Sequence, residues 1–180
     1  MNDKERVPKA SSCHMYMAVR RNKENPDLKE LTIRQIIYEG EDSLMKLKRK
    51  FYNVPGVWRI YKTINARDFE IARKLVMVKL INQPEEWSYR INTLWRKMLL
   101  KKECKIGRNY LLDIDTKDDK INSEIFDIIK KNNIETFDEK ETPNGYHVVA
   151  KGFDTRLFKD MEFVTIQSDG SLFIDRIEVK

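Results

Sequence analysis

Tyr110-Leu111-Leu112-Asp113-Ile114-Asp115 carries the strongest strand signal in the chain. It follows a turn at Gly107, and its apolar run stops at two carboxylates. A short apolar run bounded by turn signals reads as a buried strand. Alternate residues of a strand share a face, so Asp113 and Asp115 point the same way, their α-carbons roughly 7 Å apart. Two carboxylates on one face repel and are costly to desolvate unless a cation lies between them. That arrangement favours Mg2+ or Mn2+, hard ions that take oxygen ligands and bridge carboxylates to phosphates. The alternative is a strand that ends in solvated aspartates, continuous with the polar run Thr116-Lys117-Asp118-Asp119.

Downstream, Ile121, Ile125, Ile128 and Ile129 give the apolar face of a helix over 122–131. A short strand is expected at 134–137, and Thr142-Pro143-Asn144-Gly145 turns into a strand over 146–150. A helical turn at 154–159 and strands at 163–167 and 172–179 follow. The last two flank Ser168-Asp169-Gly170-Ser171, whose chemistry predicts a hairpin. Upstream, the first dozen residues read as a frayed tail, 31–38 as a short apolar element and 42–51 as a basic helix. Val57 to Ile64 alternates as a strand near an edge or cleft. Asn65 is the expected N-cap of a helix over 66–81, with Phe69, Ala72, Val76 and Leu80 as its core stripe, and a second helix spans 85–102. This mixed order argues for an α+β fold, a mixed sheet covered by helices, rather than a doubly wound parallel sheet. A length of 180 residues suits one domain.

Charge is unevenly spread. Residues 46–109 carry 17 basic against 5 acidic side chains, and 110–180 carry 10 against 16, within a net charge of +6. A basic block is either a solvated helix face or, if its charges gather on one surface, a footprint for phosphates. Within that single domain, 1–109 is the basic N-terminal part, its excess charge lying in 46–109, and 110–180 the acidic part that carries the carboxylates. No run of about eighteen apolar residues exists to span a membrane and the first residues lack a signal peptide's pattern, so a soluble cytoplasmic protein is expected. Cys13 and Cys104 are the only cysteines. They fit incidental thiols of a reducing compartment and do not supply the four closely spaced ligands of structural zinc.

His147, one of only two histidines in the chain, follows Thr142-Pro143-Asn144-Gly145-Tyr146 and opens a β-branched strand. A lone histidine is more often structural than catalytic. At the end of a sheet, however, it can donate a hydrogen bond to a phosphate that Asn144 and Gly145 let approach the backbone.

Leu-Leu-Asp113-Ile-Asp115, followed some thirty residues later by Thr-Pro-Asn144-Gly145-Tyr-His147-Val-Val, resembles the first two motifs of the archaeo-eukaryotic primase and primase-polymerase superfamily. The resemblance covers 110–150. It implies an RNA-recognition-motif-like sheet with an added N-terminal α/β unit, divalent metal on Asp113 and Asp115, and nucleotide phosphates on His147, Asn144 and Gly145. The family's third motif, a hydrophobic residue followed by a metal-binding aspartate, is matched in type by Ile174-Asp175, with Asp169 in the adjacent turn. Trp58 to Arg67 also resembles a segment of small phage proteins that carry the same motifs.

The resemblance implies a metal-dependent nucleotidyltransferase of primase-polymerase type, acting in DNA replication on nucleotides with a DNA or RNA template. Arg59, Lys62, Arg67, Lys97, Lys101, Lys102 and Lys105 would hold the nucleic acid. The chain is short for a processive polymerase and carries no zinc-binding or helicase module. Two alternatives stand beside it. A haloacid-dehalogenase-type phosphatase shares Leu-Leu-Asp-Ile-Asp but wants threonine or valine where Lys117 stands. A primase-like module with lost or reduced catalysis would bind nucleic acid or another replication protein without needing the carboxylates.

Overall fold

The computed structural model describes residues 12–38 and 40–180. Its strands are β1 (Ser12–Arg20), β2 (Leu31–Tyr38), β3 (Gly56–Thr63), β4 (Ala66–Asp68), β5 (Lys105–Ile106), β6 (Asn109–Ile114), β7 (Thr136–Thr142), β8 (Gly145–Lys151), β9 (Val164–Gln167) and β10 (Ser171–Val179). Its helices are α1 (Ser43–Lys48), α2 (Phe69–Asn82), α3 (Pro84–Trp87), α4 (Ile91–Leu99) and α5 (Asp119–Lys131). The fold is α+β, but the strands form two antiparallel sheets rather than one mixed sheet. The first runs β10-β3-β1-β4-β5 with β2 paired to β1, and the second runs β7-β8-β6-β9.

Alternation along the strands sorts side chains into layers. In the second sheet Leu112, Ile114, Val148 and Ala150 face α5 and bury Ile125 and Ile129. The opposite row, Leu111 and Val149, meets Ile64 and Leu172 in a small core between the sheets. In the first sheet, Ala18, Trp58 and Ile60 pack on Leu47 and Phe51. The other face carries Cys13 and Met15 against α2 and α4. Both cysteines are buried free thiols. Among the described residues no helix is long and apolar enough to cross a membrane.

Several sequence expectations shift, each for a local reason. The central strand β1 lies just after the stretch read as a tail, of which residues 1–11 fall outside the described residues. Ala66–Asp68 pairs as β4 instead of starting a helix, and Asp68 is the N-cap of α2, its carboxylate accepting from the Ile71 amide at 2.9 Å. Asn65 is fully buried instead: its side chain bonds Asn109 N–H at 2.9 Å and donates to the carbonyls of Asn109 and Ser168. The helix expected over 85–102 breaks into α3, a 3-10 turn at Ser88–Arg90, and α4. Finally, β9 and β10 do not form a hairpin. β9 pairs with β6 while β10 pairs with β3, so the 168–170 turn carries the chain from one sheet to the other. The last strand thus completes the sheet of the N-terminal half, and the two halves interlock.

Candidate active site

On the inner face of β6 and β8, directly opposed residues form the pair Leu111 and Val149, then the pair Asp113 and His147. The face is apolar where the sheets touch and turns polar two residues later, where they part. The space beyond is a cleft of about 470 Å3 whose lining includes Asp113, Asp115, Asn144, His147 and Asp169. Arg59 and Tyr61 of β3 and Phe173 of β10 line it from the first sheet. One carboxylate pair and one imidazole from different strands therefore meet in one place.

His147 is held at both ring nitrogens. Its Nδ1 accepts the Phe173 amide at 3.0 Å, and its Nε2 lies 3.1 Å from Asp113 Oδ1. A backbone N–H can only donate, so the proton of the neutral ring sits on Nε2 and is given to Asp113. The ring bridges the two sheets, and its tautomer is set by the β10 backbone. Gln167 Nε2 makes a long contact of 3.4 Å with Asp113 Oδ2. Asp115 is exposed, and its carboxylate makes no hydrogen bond or ion pair among the described residues.

Asp169, in the β9–β10 turn, is held from behind. Its Oδ1 accepts from Arg67 Nη2 at 2.6 Å, and Arg67 is only 1% exposed, with Nε and Nη1 lacking any partner among the described residues. The turn is further pinned by Asn65 and by Lys105 Nζ, both bonded to the Ser168 carbonyl. Arg59 lines the cleft, but its guanidinium is forked onto Glu24 at 2.8 to 3.0 Å. That hydrogen bond holds the Glu24 carboxyl below the usual carboxylate range.

Other expected site residues lie elsewhere. Asp175 does not line the cleft; it follows a bulge in β10, and its Oδ1 accepts from the Arg176 amide at 2.8 Å. Asp169 takes the cleft position that Asp175 was expected to hold. Gly145 is buried, and its missing side chain serves strand packing: a Cβ there would overlap the Ile114 carbonyl oxygen and lie 2.7 Å from that of Thr116. Of the seven basic residues read as nucleic-acid ligands, only Arg59 lines the cleft. Arg67 is interior, Lys62 borders a separate cavity beside His14, Lys97 Nζ sits 4.7 Å from the centre of the Trp87 ring, and Lys105 is tied to Ser168. Lys101 and Lys102 are exposed beyond the end of α4.

Sequence reasoning missed Arg21, Tyr61, Thr142, Gln167 and Phe173 as cleft residues. The alternation of Arg59 and Tyr61 against the buried Trp58 and Ile60 was a usable signal for Tyr61. Nothing local marks Gln167 or Phe173.

Among the described residues no group of three or more His, Cys, Asp or Glu side chains is placed to hold a metal ion. The cleft nevertheless has donors that fit one. Asp113 and Asp115 share a face, both carry hard oxygen donors, and Asp115 is unengaged. Magnesium commonly uses one or two carboxylates and completes its octahedron with water and substrate phosphates. The chain matches no family model, no curated protein and no solved structure.

Proposed function

We propose that the protein is a metal-dependent nucleotidyltransferase of primase-polymerase type that acts on nucleotides along a DNA or RNA template. The observation that carries this reading is the meeting of Asp113, Asp115 and His147 in one polar cleft between two sheets. A divalent ion on Asp113 and Asp115 would lower the pKa of an attacking hydroxyl and neutralise the charge of a leaving pyrophosphate. The chain's own residues do the rest. His147 presents an Nε2–H that can leave Asp113 for a phosphate oxygen, which also frees that carboxylate for other work. The Phe173 amide keeps the tautomer that makes Nε2 the donor. Asn144 lies at the cleft edge within the turn that delivers His147, and Arg67 anchors one oxygen of Asp169, which lines the cleft.

A second reading, a primase-like module that binds nucleic acid without catalysis, is favoured by the lack of a preformed three-ligand group among the described residues. Incorporation of labelled nucleotides with manganese, with and without a primer, separates the two. Wild type is expected to incorporate, His147→Ala to lose about 100-fold or more, and the Asp113→Asn/Asp115→Asn pair to fall to background. Wild-type protein inactive on every template and nucleotide combination would leave the module reading in place. Thermal stabilisation by metal plus nucleotide, absent in the double variant, is the binding counterpart of that assay.

A further inference from the structure

The basic block of the middle of the chain is not a single surface. Arg59 is engaged by Glu24, Arg67 by Asp169, Arg73 by Glu70, Lys46 by Glu41 and Lys105 by the Ser168 carbonyl. Two of the block's remaining cations, Lys50 and Arg96, meet Arg34 of β2 at one place. Lys50, Arg96 and Arg34 line a cavity of about 520 Å3 between β2 and α4, with Tyr38, Phe69 and Trp95. Among the described residues no carboxylate lines it and none of the three cations has an ion pair; Glu41 and Glu70 act on Tyr38 from its margin. Arg96 is aimed by its own helix, donating to the Asn92 carbonyl at 3.0 Å and to Thr93 Oγ1 at 3.2 Å. Trp95 and Phe69 are stacked, with centroids 4.7 Å apart and planes 5° from parallel. Tyr38 meets Phe69 edge-on at 5.1 Å.

Three cations outside any ion pair among the described residues, set around half-buried aromatic rings, suit a ligand that brings both phosphate and a flat base. The sheet register joins this cavity to the acidic cleft. Arg34 stands opposite Met17, Met17 opposite Tyr61, and Tyr61 opposite Phe173, one continuous row on one face of the first sheet. Arg34 borders the basic cavity, while Tyr61 and Phe173 border the acidic cleft. Two strand spacings, roughly 10 Å, separate Arg34 from Tyr61.

We propose that the cavity between β2 and α4 is a binding site for single-stranded nucleic acid, with a base against Trp95 and its phosphates between Arg34, Lys50 and Arg96. The row through Met17 and Tyr61 leads the strand toward the acidic cleft. That direction rests on the function proposed above, whereas the binding itself does not.

The test is a titration with a ten-nucleotide oligothymidylate in EDTA, so that no metal chemistry contributes. The difference in emission between wild type and Trp95→Phe isolates Trp95, and the buried Trp58 and Trp87 are out of reach of contact quenching. Quenching on binding is expected, with a double-logarithmic salt slope of roughly −2 for three cation contacts. Arg34→Ala/Arg96→Ala should weaken binding at least tenfold and reduce the slope by about 1.4. Trp95→Phe should abolish the quench while an anisotropy titration still detects the complex. An equal loss in Lys130→Ala/Lys131→Ala on α5 would overturn the site. So would a complex that leaves Trp95 fluorescence unchanged. Thymidine monophosphate binding as tightly as the oligomer would overturn the strand assignment. Because no incorporation is measured, failure here leaves the nucleotidyltransferase reading standing, and an inactive polymerase assay leaves this site standing.

Discussion

Asp113 and His147 stand directly opposite each other on β6 and β8, and the His147 Nε2 lies 3.1 Å from Asp113 Oδ1. The same ring accepts the Phe173 amide on Nδ1, so a residue of the second sheet reads the position of the first. Nitrogen-15 spectra of the imidazole are expected to show Nδ1 unprotonated and Nε2 protonated in the neutral ring. A ring carrying its proton on Nδ1 would contradict the hydrogen bond from Phe173 and the donor role given to His147.

Gly145 lets β8 start against the backbone of Ile114 and Thr116. In Gly145→Ala the Cβ meets backbone, which cannot swing away as a side chain can. The expected cost is about 3 kcal/mol, or a fall in Tm of roughly 6 to 12 °C for a chain of this size. Asn144→Ala, one residue earlier at the cleft edge, should leave Tm within about 2 °C, since surface changes usually cost under 0.5 kcal/mol. Thermal melts of the two variants decide it; equal melting would mean that the close approach is not there.

The pair Arg67 and Asp169 is asymmetric, 1% exposed on the arginine side and 35% on the aspartate side. Removing the acid strands a buried charge, whereas removing the base leaves an aspartate that water can reach. Asp169→Ala is therefore expected to cost about 3 to 5 kcal/mol, and Arg67→Met less, because it also removes the unpartnered Nε and Nη1. Chemical denaturation of both variants gives the order. The reverse order would show that Arg67 is solvated or paired differently.

Glu24 accepts the forked hydrogen bonds of Arg59, which hold its carboxyl low. A carboxyl whose folded pKa is depressed contributes stability above its unfolded value, near 4.3 for glutamate, and loses it as pH falls through the folded value. Wild type should thus lose more stability than Glu24→Gln between pH 6 and acid pH, the difference being on the order of 1 to 3 kcal/mol. Tm measured across that range tests it, and parallel curves would remove Glu24 from the acid response.

Much of the second sheet was legible in the sequence. Tyr110 to Leu112 is an apolar run that passes into the alternation Leu112-Asp113-Ile114-Asp115, α5 shows a helical isoleucine stripe with a turn before it, and the Pro143-Asn144 turn announces β8. The common orientation of Asp113 and Asp115 follows from strand period alone. The first sheet was harder to read. β1 is the strand to which β2, β3 and β4 all pair, yet its Cys-His-Met-Tyr-Met-Ala run mixes types without a clear polar face, because one face packs on α2 and α4 and the other on Leu47 and Phe51. Asn65 has the chemistry of a cap, and only the pairing of Ala66–Asp68 with β1 and β5 moves the start of α2 to Asp68.

What the sequence determined by itself is therefore local: which segments are strands or helices, that two aspartates share a face, and that a turn hands His147 to a strand beside them. The tertiary structure decided which groups meet. It placed Asp169 rather than Asp175 at the cleft, buried Arg67 behind it, and gathered Arg34, Lys50 and Arg96 from three separate segments around one pair of rings. Side-chain period is a property of a few consecutive residues, whereas proximity between residues a hundred positions apart depends on how strands from both halves of the chain pair, which no short window of sequence encodes.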